Sequence, residues 1–301
     1  MSAITLFVIL LILFLMLDQM PGSPFNDEKL TEAQKALVYA KYGLDQPFFV
    51  RFGLYVKNVL KGDFGVSYAI NINFSVTEMM IPRLGVSLRI GLQAMILGSF
   101  VGIILGVIAA LNHNTWIDTF TSAISVIGVS VPSYVFALGL AYYFGYVLKL
   151  VPFLYDVRDP ATSSILPIVA LSVFTVANVA RFTRSELLDV LNSDYILLAE
   201  SKGIKKYKMI FKHALRNAMI PVVTIMGPLL VGLLTGSMVV ERIFSIPGIG
   251  GLMVDAIGMN DYNVVIACAF VYSALYVVAM LVVDILYGII DPRIRVSKEG
   301  S

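Results

Sequence analysis

Six stretches of this chain carry no charged side chain: Met1–Leu17, Ile90–Leu111, Thr119–Leu148, Ala161–Ala180, Asn217–Val240 and Tyr262–Val283. A helix rises about 1.5 Å per residue and a bilayer core is about 30 Å thick, so one crossing needs about 20 residues. The later five runs meet that length. Met1–Leu17 falls short of it and fits two readings, a retained span whose natural start lies upstream of Met1, or a signal peptide. No basic stretch precedes it and no A-x-A site follows, which favours the span. The pattern predicts an all-α integral membrane protein with six transmembrane helices.

Charge between the runs orients them. The 36 residues Arg181–Arg216 hold eight of the chain's 22 basic side chains against four acidic ones, a balance of +4. Basic excess in a short loop marks the cytoplasmic side. Residues 18–83 carry seven basic and seven acidic side chains, and a segment of that length and balance is expected outside. An even number of spans then places both termini in the cytoplasm, with Arg293, Arg295 and Lys298 in the tail. The outer segment is too polar for the bilayer, yet its apolar patch Pro47–Phe52 predicts a small ordered cap. The expected division is a first helix over 1–17, an extracytoplasmic segment over 18–83, a five-helix core over 84–290 containing the cytoplasmic loop 181–216, and a tail over 291–301.

Within that loop, Ser193 and Asp194 offer an N-cap ahead of Tyr195, and a short helix would run to Lys202. Gly203 fits the left-handed C′ position that ends a helix, after which Ile204–Phe211 can start a second one. Ile204, Tyr207, Ile210, Phe211 and Leu215 recur near helical spacing, with Lys205, Lys206, Lys208 and Lys212 among them. A basic helix with one apolar stripe at the inner face of a membrane suits lipid headgroups or a soluble partner. A solvated hairpin is the plainer alternative.

In the second span, Ala94, Gly98, Gly102, Gly106 and Ala110 recur every four residues, a stripe on which another helix can approach closely. Pro132, Pro167 and Pro228 interrupt apolar runs. Each removes an intrahelical hydrogen bond and favours a kink, as suited to a gate as to a static bundle. Arg89 and Asp284 stand at span ends, and no charge lies deeper. A charge at mid-bilayer costs at least about 2.5 kcal/mol, so carriers driven by ion gradients retain a few there for function. Their scarcity argues for an energy source outside this chain, although backbone carbonyls can also build an ion site.

Composition narrows the chemistry. With 58% hydrophobic and 14% charged residues the chain is a membrane protein, and its net charge of +2 gives no reason to expect nucleic acid. The single cysteine, Cys268, lies in an apolar run, so no internal disulfide can form and no metal site is expected. No G-x-x-x-x-G-K-S/T phosphate loop occurs, so ATP is not hydrolysed by a P-loop of this chain, and no cofactor is expected in it. An intramembrane enzyme would draw on His213 and Cys268. A loop contact and a small core side chain are the plainer readings of these two, so no catalytic residue is expected.

Ala199-Glu200-Ser201-Lys202-Gly203, followed after nine residues by His213-Ala214-Leu215-Arg216-Asn217-Ala218 and then Pro221, resembles the EAA loop of bacterial ABC importer permeases. The version is that of the dipeptide and oligopeptide permeases. The general EAA pattern would place its first two letters on Leu197 and Leu198, so only Ala199 and Gly203 match there. Its later I-x-L-P falls on His213-Ala214-Leu215-Arg216 and matches only Leu215. The His-Ala-Leu-Arg-Asn-Ala run is characteristic of the peptide branch, so these departures narrow the family. Further motifs resemble the first permease of that pair: Pro21-Gly22-Ser23-Pro24, Lys41-Tyr42-Gly43-Leu44-Asp45-Gln46-Pro47 and Gly62-Asp63-Phe64-Gly65-Val66-Ser67. So do Val131-Pro132-Ser133, the stretch from Glu241 to Gly250, and Asp291-Pro292-Arg293-Ile294-Arg295.

The resemblance implies a type I ABC importer permease architecture, six transmembrane helices with an extracytoplasmic cap between helices 1 and 2. It implies a non-catalytic permease subunit for oligopeptides in the bacterial cell membrane, forming half of a translocation path. The partners implied are a second homologous permease, two ABC ATPase subunits that bind the ATP and Mg, and an extracytoplasmic peptide-binding protein, with membrane lipid around them. Coupling to the ATPases falls to Ala199, Glu200, Gly203, Ile204, Tyr207, Ile210, Phe211, His213, Leu215 and Arg216. The small-residue stripe assigns helix packing to Gly98, Gly102 and Gly106, and outer docking or gating falls to Glu241, Pro247 and Gly248. Dipeptides, nickel or another small solute are alternative cargoes, and an ion-coupled carrier acting alone is the competing class.

Overall fold

The computed structural model describes residues 2–19 and 31–290. The Pro21–Pro24 motif, the Asp291–Arg295 ending and the basic tail residues Arg293, Arg295 and Lys298 lie outside the described residues. In chain order the helices are α1 (Ser2–Asp18), α2 (Glu32–Lys41), α3 (Phe48–Val59), α4 (Val76–Leu111), α5 (Trp116–Ser130) and α6 (Ser133–Leu140), which a π-helical turn continues over Ala141–Val147. There follow α7 (Pro160–Ser163), α8 (Ile165–Leu191), α9 (Asp194–Ser201) and α10 (Lys206–Lys208), continued by a second π-helical turn over Met209–Ala214. The last are α11 (Leu215–Ile243), α12 (Ile249–Gly258) and α13 (Tyr262–Ile290).

Among the described residues, four helical stretches are long and apolar enough to cross a membrane: Val76–Leu111, Pro160–Leu191, Lys206–Leu233 and Tyr262–Val283. The third expected span is interrupted, because α5 and α6 with its π-turn meet at a bend of 100°. Pro132 caps α6 there with φ −58° and ψ 141°. Its ring excludes a helical conformation for Val131, which is extended at ψ 125°. The expectation of a kink at Pro167 is corrected. That residue lies in the first turn of α8, where the backbone N–H has no intrahelical acceptor to lose. Pro228, together with Pro221, sits inside α11, which continues through both.

The described chain divides into two compact units, one formed by residues up to Ser87 with Pro247–Val277, the other by Leu88–Ile246 with the residues from Val278 onward. In the first, the start of α4 buries Val76, Met79 and Met80 against Ile249, Leu252 and Ala256 of α12 and Val264, Ala267 and Cys268 of α13. The charge pattern placed the start of this span at Ile90; the helix itself begins at Val76, with Glu78 and Arg89 exposed and Arg83 half-buried along its first turns. Ile249, Leu252 and Ala256 follow the three-and-four spacing of a one-faced helix.

In the second unit, α8 is the central element. A Cβ built on Gly98 would stand 2.6 Å from Thr175, one on Gly102 2.8 Å from Val179, and one on Gly106 2.6 Å from the Ala180 carbonyl oxygen. The stripe of small residues therefore brings the α4 backbone directly onto α8. A Cβ built on Gly128 of α5 would likewise stand 2.8 Å from the Ala177 Cβ on α8. Close backbone approach of this kind supplies the dispersion contacts that hold membrane helices together where lipid offers no hydrophobic drive.

Candidate functional site

The basic loop folds as a knob at the end of α8. After Asn192 the chain extends at Ser193, ψ 151°, and α9 begins with Asp194 in its first turn, where a carboxylate favours the helix dipole. Ser193 Oγ donates to the Val190 carbonyl at 2.5 Å, so the expected side-chain cap is replaced by a bond back to α8. At the other end Gly203 has φ +72°. Its N–H donates to the Glu200 carbonyl at 2.8 Å, and that of Ile204 donates to the Ala199 carbonyl at 3.3 Å. This pair of bonds is the Schellman closure that a left-handed C′ residue permits.

Beyond the turn, α10 and its π-turn run without a break into α11. The single apolar stripe expected from Ile204 to Leu215 is corrected here. Ile210 is buried together with Met209 and Ala214, whereas Tyr207 and Phe211 are 64% and 63% exposed. The π-turn contributes, because its wider i→i+5 winding brings Met209 and Ala214 onto the buried side together, while Tyr207 lies ahead of it in α10. Met209 and Ala214 pack with Ala110, Leu187, Ile196 and Ala218, and Ala199 and Ile204 close over that cluster. Asn217 Nδ2 donates to Tyr195 Oη at 2.9 Å, tying α9 to the base of α11.

The knob's outer surface is apolar and basic at once. Leu197, Leu198, Tyr207 and Phe211 are exposed, and so are Glu200, Lys202, Lys205, Lys206, Lys208, Lys212 and Arg216. His213 and Leu215 are half-buried. Ala199 and Ile204 thus close over the interior of the knob and Ile210 is buried, exposed Gly203 forms the turn between its two helices, and Glu200, Tyr207, Phe211 and Arg216 are presented outward.

An ion cluster at the root of the knob escaped the sequence reading. Arg184 on α8 donates to Asp118 of α5 through Nε at 2.5 Å and Nη2 at 2.8 Å. Asp118 also accepts from the Asn114 N–H at 3.1 Å and lies 3.1 Å from His113 Nδ1. The bidentate fork fixes the α4–α5 turn to the helix that leads into the knob. The only sequence signal was an acid at the edge of an uncharged run.

A second buried carboxylate organises the opposite sequence region of the first unit. Asp261 is 0% exposed and accepts from Ser67 Oγ at 2.5 Å and from the N–H groups of Tyr68, Ala69 and Ile70 at 2.9–3.1 Å. Burial pushes the neighbouring Tyr68 phenol up to about 12. Glu241, expected at an outer docking surface, is 3% exposed inside the last turn of α11. Arg242 and Ser245 carry the exposed surface there, and Ser245 has φ +54°. Gly248 is buried and caps α12, while Ser87 Oγ accepts from the Ile249 N–H at 2.9 Å. Among the described residues no three His, Cys, Asp or Glu side chains converge as metal ligands would.

Comparison with known proteins agrees with this architecture. The dipeptide transport system permease protein DppB of Lactococcus lactis is 43% identical over 292 residues, 97% of this chain and 95% of the relative. DppB of Bacillus subtilis is 39% identical over 99% of this chain and 96% of its own length. The oligopeptide transport system permease protein OppB of Salmonella typhimurium is 38% identical over 97% and 95%. In fold, the chain matches the MetNI methionine ABC transporter in an inward-facing form with a TM-score of 0.60 at 16% identity, over 71% of this chain and 96% of that one. An amino acid ABC transporter matches with a TM-score of 0.53 at 17% identity, over 72% and 94%. The fold is that of a type I ABC importer permease. Residues 102–296 fit the model of binding-protein-dependent transport system inner membrane components, and the chain, a multi-pass membrane permease, belongs to that family.

Proposed function

We propose that this chain is one of two permeases in an ATP-driven importer of short peptides, and that its basic knob is where ATPase motion enters the membrane. The carrying observation is the exposed apolar pair Tyr207 and Phe211, set among five exposed lysines on a knob whose underside is locked to α8 and α11. Burying each large side chain in a partner's groove would supply about 1.5–3 kcal/mol. The named peptide permeases that the chain resembles along almost its whole length support the cargo class. On this reading the knob is cytoplasmic, both termini lie on its side, and a second related permease completes the path. Two ATPase subunits hydrolyse ATP with Mg, and a binding protein delivers peptide from outside.

Replacing Tyr207 or Phe211 with Asp tests the reading, because both side chains are exposed and the fold does not need them. The permease should still insert, while co-purification of the ATPase falls sharply. Full retention of the ATPase by both variants would overturn the assignment of the knob.

A further inference from the structure

The first unit contains a helix whose exposed face is apolar although the sequence places it outside the membrane. Helix α3 packs on α1 through rings. Phe14 of α1 meets Phe48, Phe52 and Tyr55 with centroids 5.5, 5.6 and 5.7 Å apart, and Phe7 meets Phe52 at 5.6 Å. Residues 48 to 55 cover about 10 Å along α3, yet all three rings reach one side chain of α1. The two helices therefore cross at Phe14. Phe14 lies four positions before Asp18, the polar end of the otherwise uncharged α1, so the crossing lies about 6 Å below that end.

The rotation of α3 about its own axis is fixed by two contacts. Arg51 pairs with Asp18, and its guanidinium lies 5.9 Å from the Phe14 ring, so the Arg51 flank turns toward the polar end of α1. Phe52 reaches down to Phe7, about 16 Å below Asp18 along α1. At about 100° per residue, Asn58 shares the Arg51 flank, while Phe49 and Leu60 fall on the opposite one. These two are 80% and 83% exposed. The most exposed apolar side chains of the helix and its C-cap residue Leu60 thus point along α1 toward its apolar middle, which is lined by the exposed Phe7, Val8 and Ile12.

We infer that α3 is an interfacial helix lying in the plane of the membrane, with Phe49 and Leu60 inserted among lipid acyl chains. Depth, crossing and rotation all match an amphipathic helix seated at the boundary between headgroups and acyl chains. Lys57, exposed on the side turned from α1, has a stem long enough to bring its ammonium to lipid phosphates. A soluble partner would need Phe49 and Leu60 to face water, and the direction set by Arg51 and Phe52 turns them away from it. The inference does not depend on which face of the membrane carries Asp18.

Single cysteines at Phe49, Leu60 and Asn58, in a Cys268→Ala background, can be labelled with the environment-sensitive NBD fluorophore. The full chain is reconstituted in nanodiscs of phosphatidylethanolamine and phosphatidylglycerol. Labels at positions 49 and 60 should show blue-shifted emission, lose intensity to lipid spin-labelled near the headgroup end of the acyl chain, and resist iodide. The label at position 58 should respond in the opposite way. Iodide quenching at 49 and 60 equal to that at 58 would overturn the inference. So would protection of both sites from lipid and iodide alike, which would mean that protein covers the face.

Discussion

Three backbone N–H groups and one hydroxyl converge on the buried Asp261 carboxylate, so its removal strands donors that water reaches poorly. An unsatisfied buried donor costs about 1–3 kcal/mol. Asp261→Ala should therefore lower the apparent melting temperature in detergent markedly, and Asp261→Asn, which keeps one acceptor oxygen, should fall between. Equal melting of all three proteins would show that the 67–70 loop is held by other contacts. Gly203 poses a different problem. A Cβ there meets nothing within 4 Å, so the whole penalty of Gly203→Val comes from its φ of +72°, about 1–2 kcal/mol for a side-chain-bearing residue in that region. That is too little to unfold the chain, but enough to re-aim α10 against α9. Membrane levels should stay normal while transport falls, and Gly203→Asn should retain more activity because Asn tolerates the left-handed region. Undiminished transport by the valine variant would show that the angle of the turn is not used.

At the level of helices, the seam between α4 and α8 is the most constrained contact. A leucine at Gly102 would have to displace Val179 and the Val176 carbonyl, which stand 2.8 and 2.9 Å from the added Cβ. Backbone cannot yield as a flexible side chain does, and overpacking costs about 1–3 kcal/mol. Gly102→Leu should lower thermal stability and resistance to protease; native resistance would mean that the two helices can separate freely. The stripe was legible because small residues every four positions have few other uses in an apolar run. Its partner was not, because nothing in a linear pattern says which helix faces it. The π-turn at Met209–Ala214 was illegible for a related reason: a fixed 3.6-residue period sets Met209 and Ala214, five residues apart, about 140° from each other, and only the wider turn brings both onto the buried side. The Asp118–Arg184 pair joins residues 66 positions apart, and an acid at the mouth of a span looks like any solvated end.

For the whole molecule, sidedness is an expectation that rests on charge counts rather than on packing. The basic excess of Arg181–Arg216 and the balanced charge of residues 18–83 would place these segments on opposite faces of the membrane. If the first of these is cytoplasmic, Ser245 must be outside, because α11 carries the chain from the knob to Ile243 through one apolar stretch. Ser245 is exposed at the turn that ends α11, and buried Glu241 leaves contact with a partner there to its neighbours. Single cysteines at Ser245 and at Ser23, in a Cys268→Ala background, provide the test. Cys268 is fully buried, so that replacement removes a competing thiol without exposing a new surface. Membrane-impermeant maleimide added from outside should label both positions, and a short cross-linker should capture the binding protein in a peptide-dependent manner. Labelling of either site only from the cytoplasm would reverse the topology. Capture that ignores peptide would leave sidedness standing but remove docking at these loops from the transport cycle.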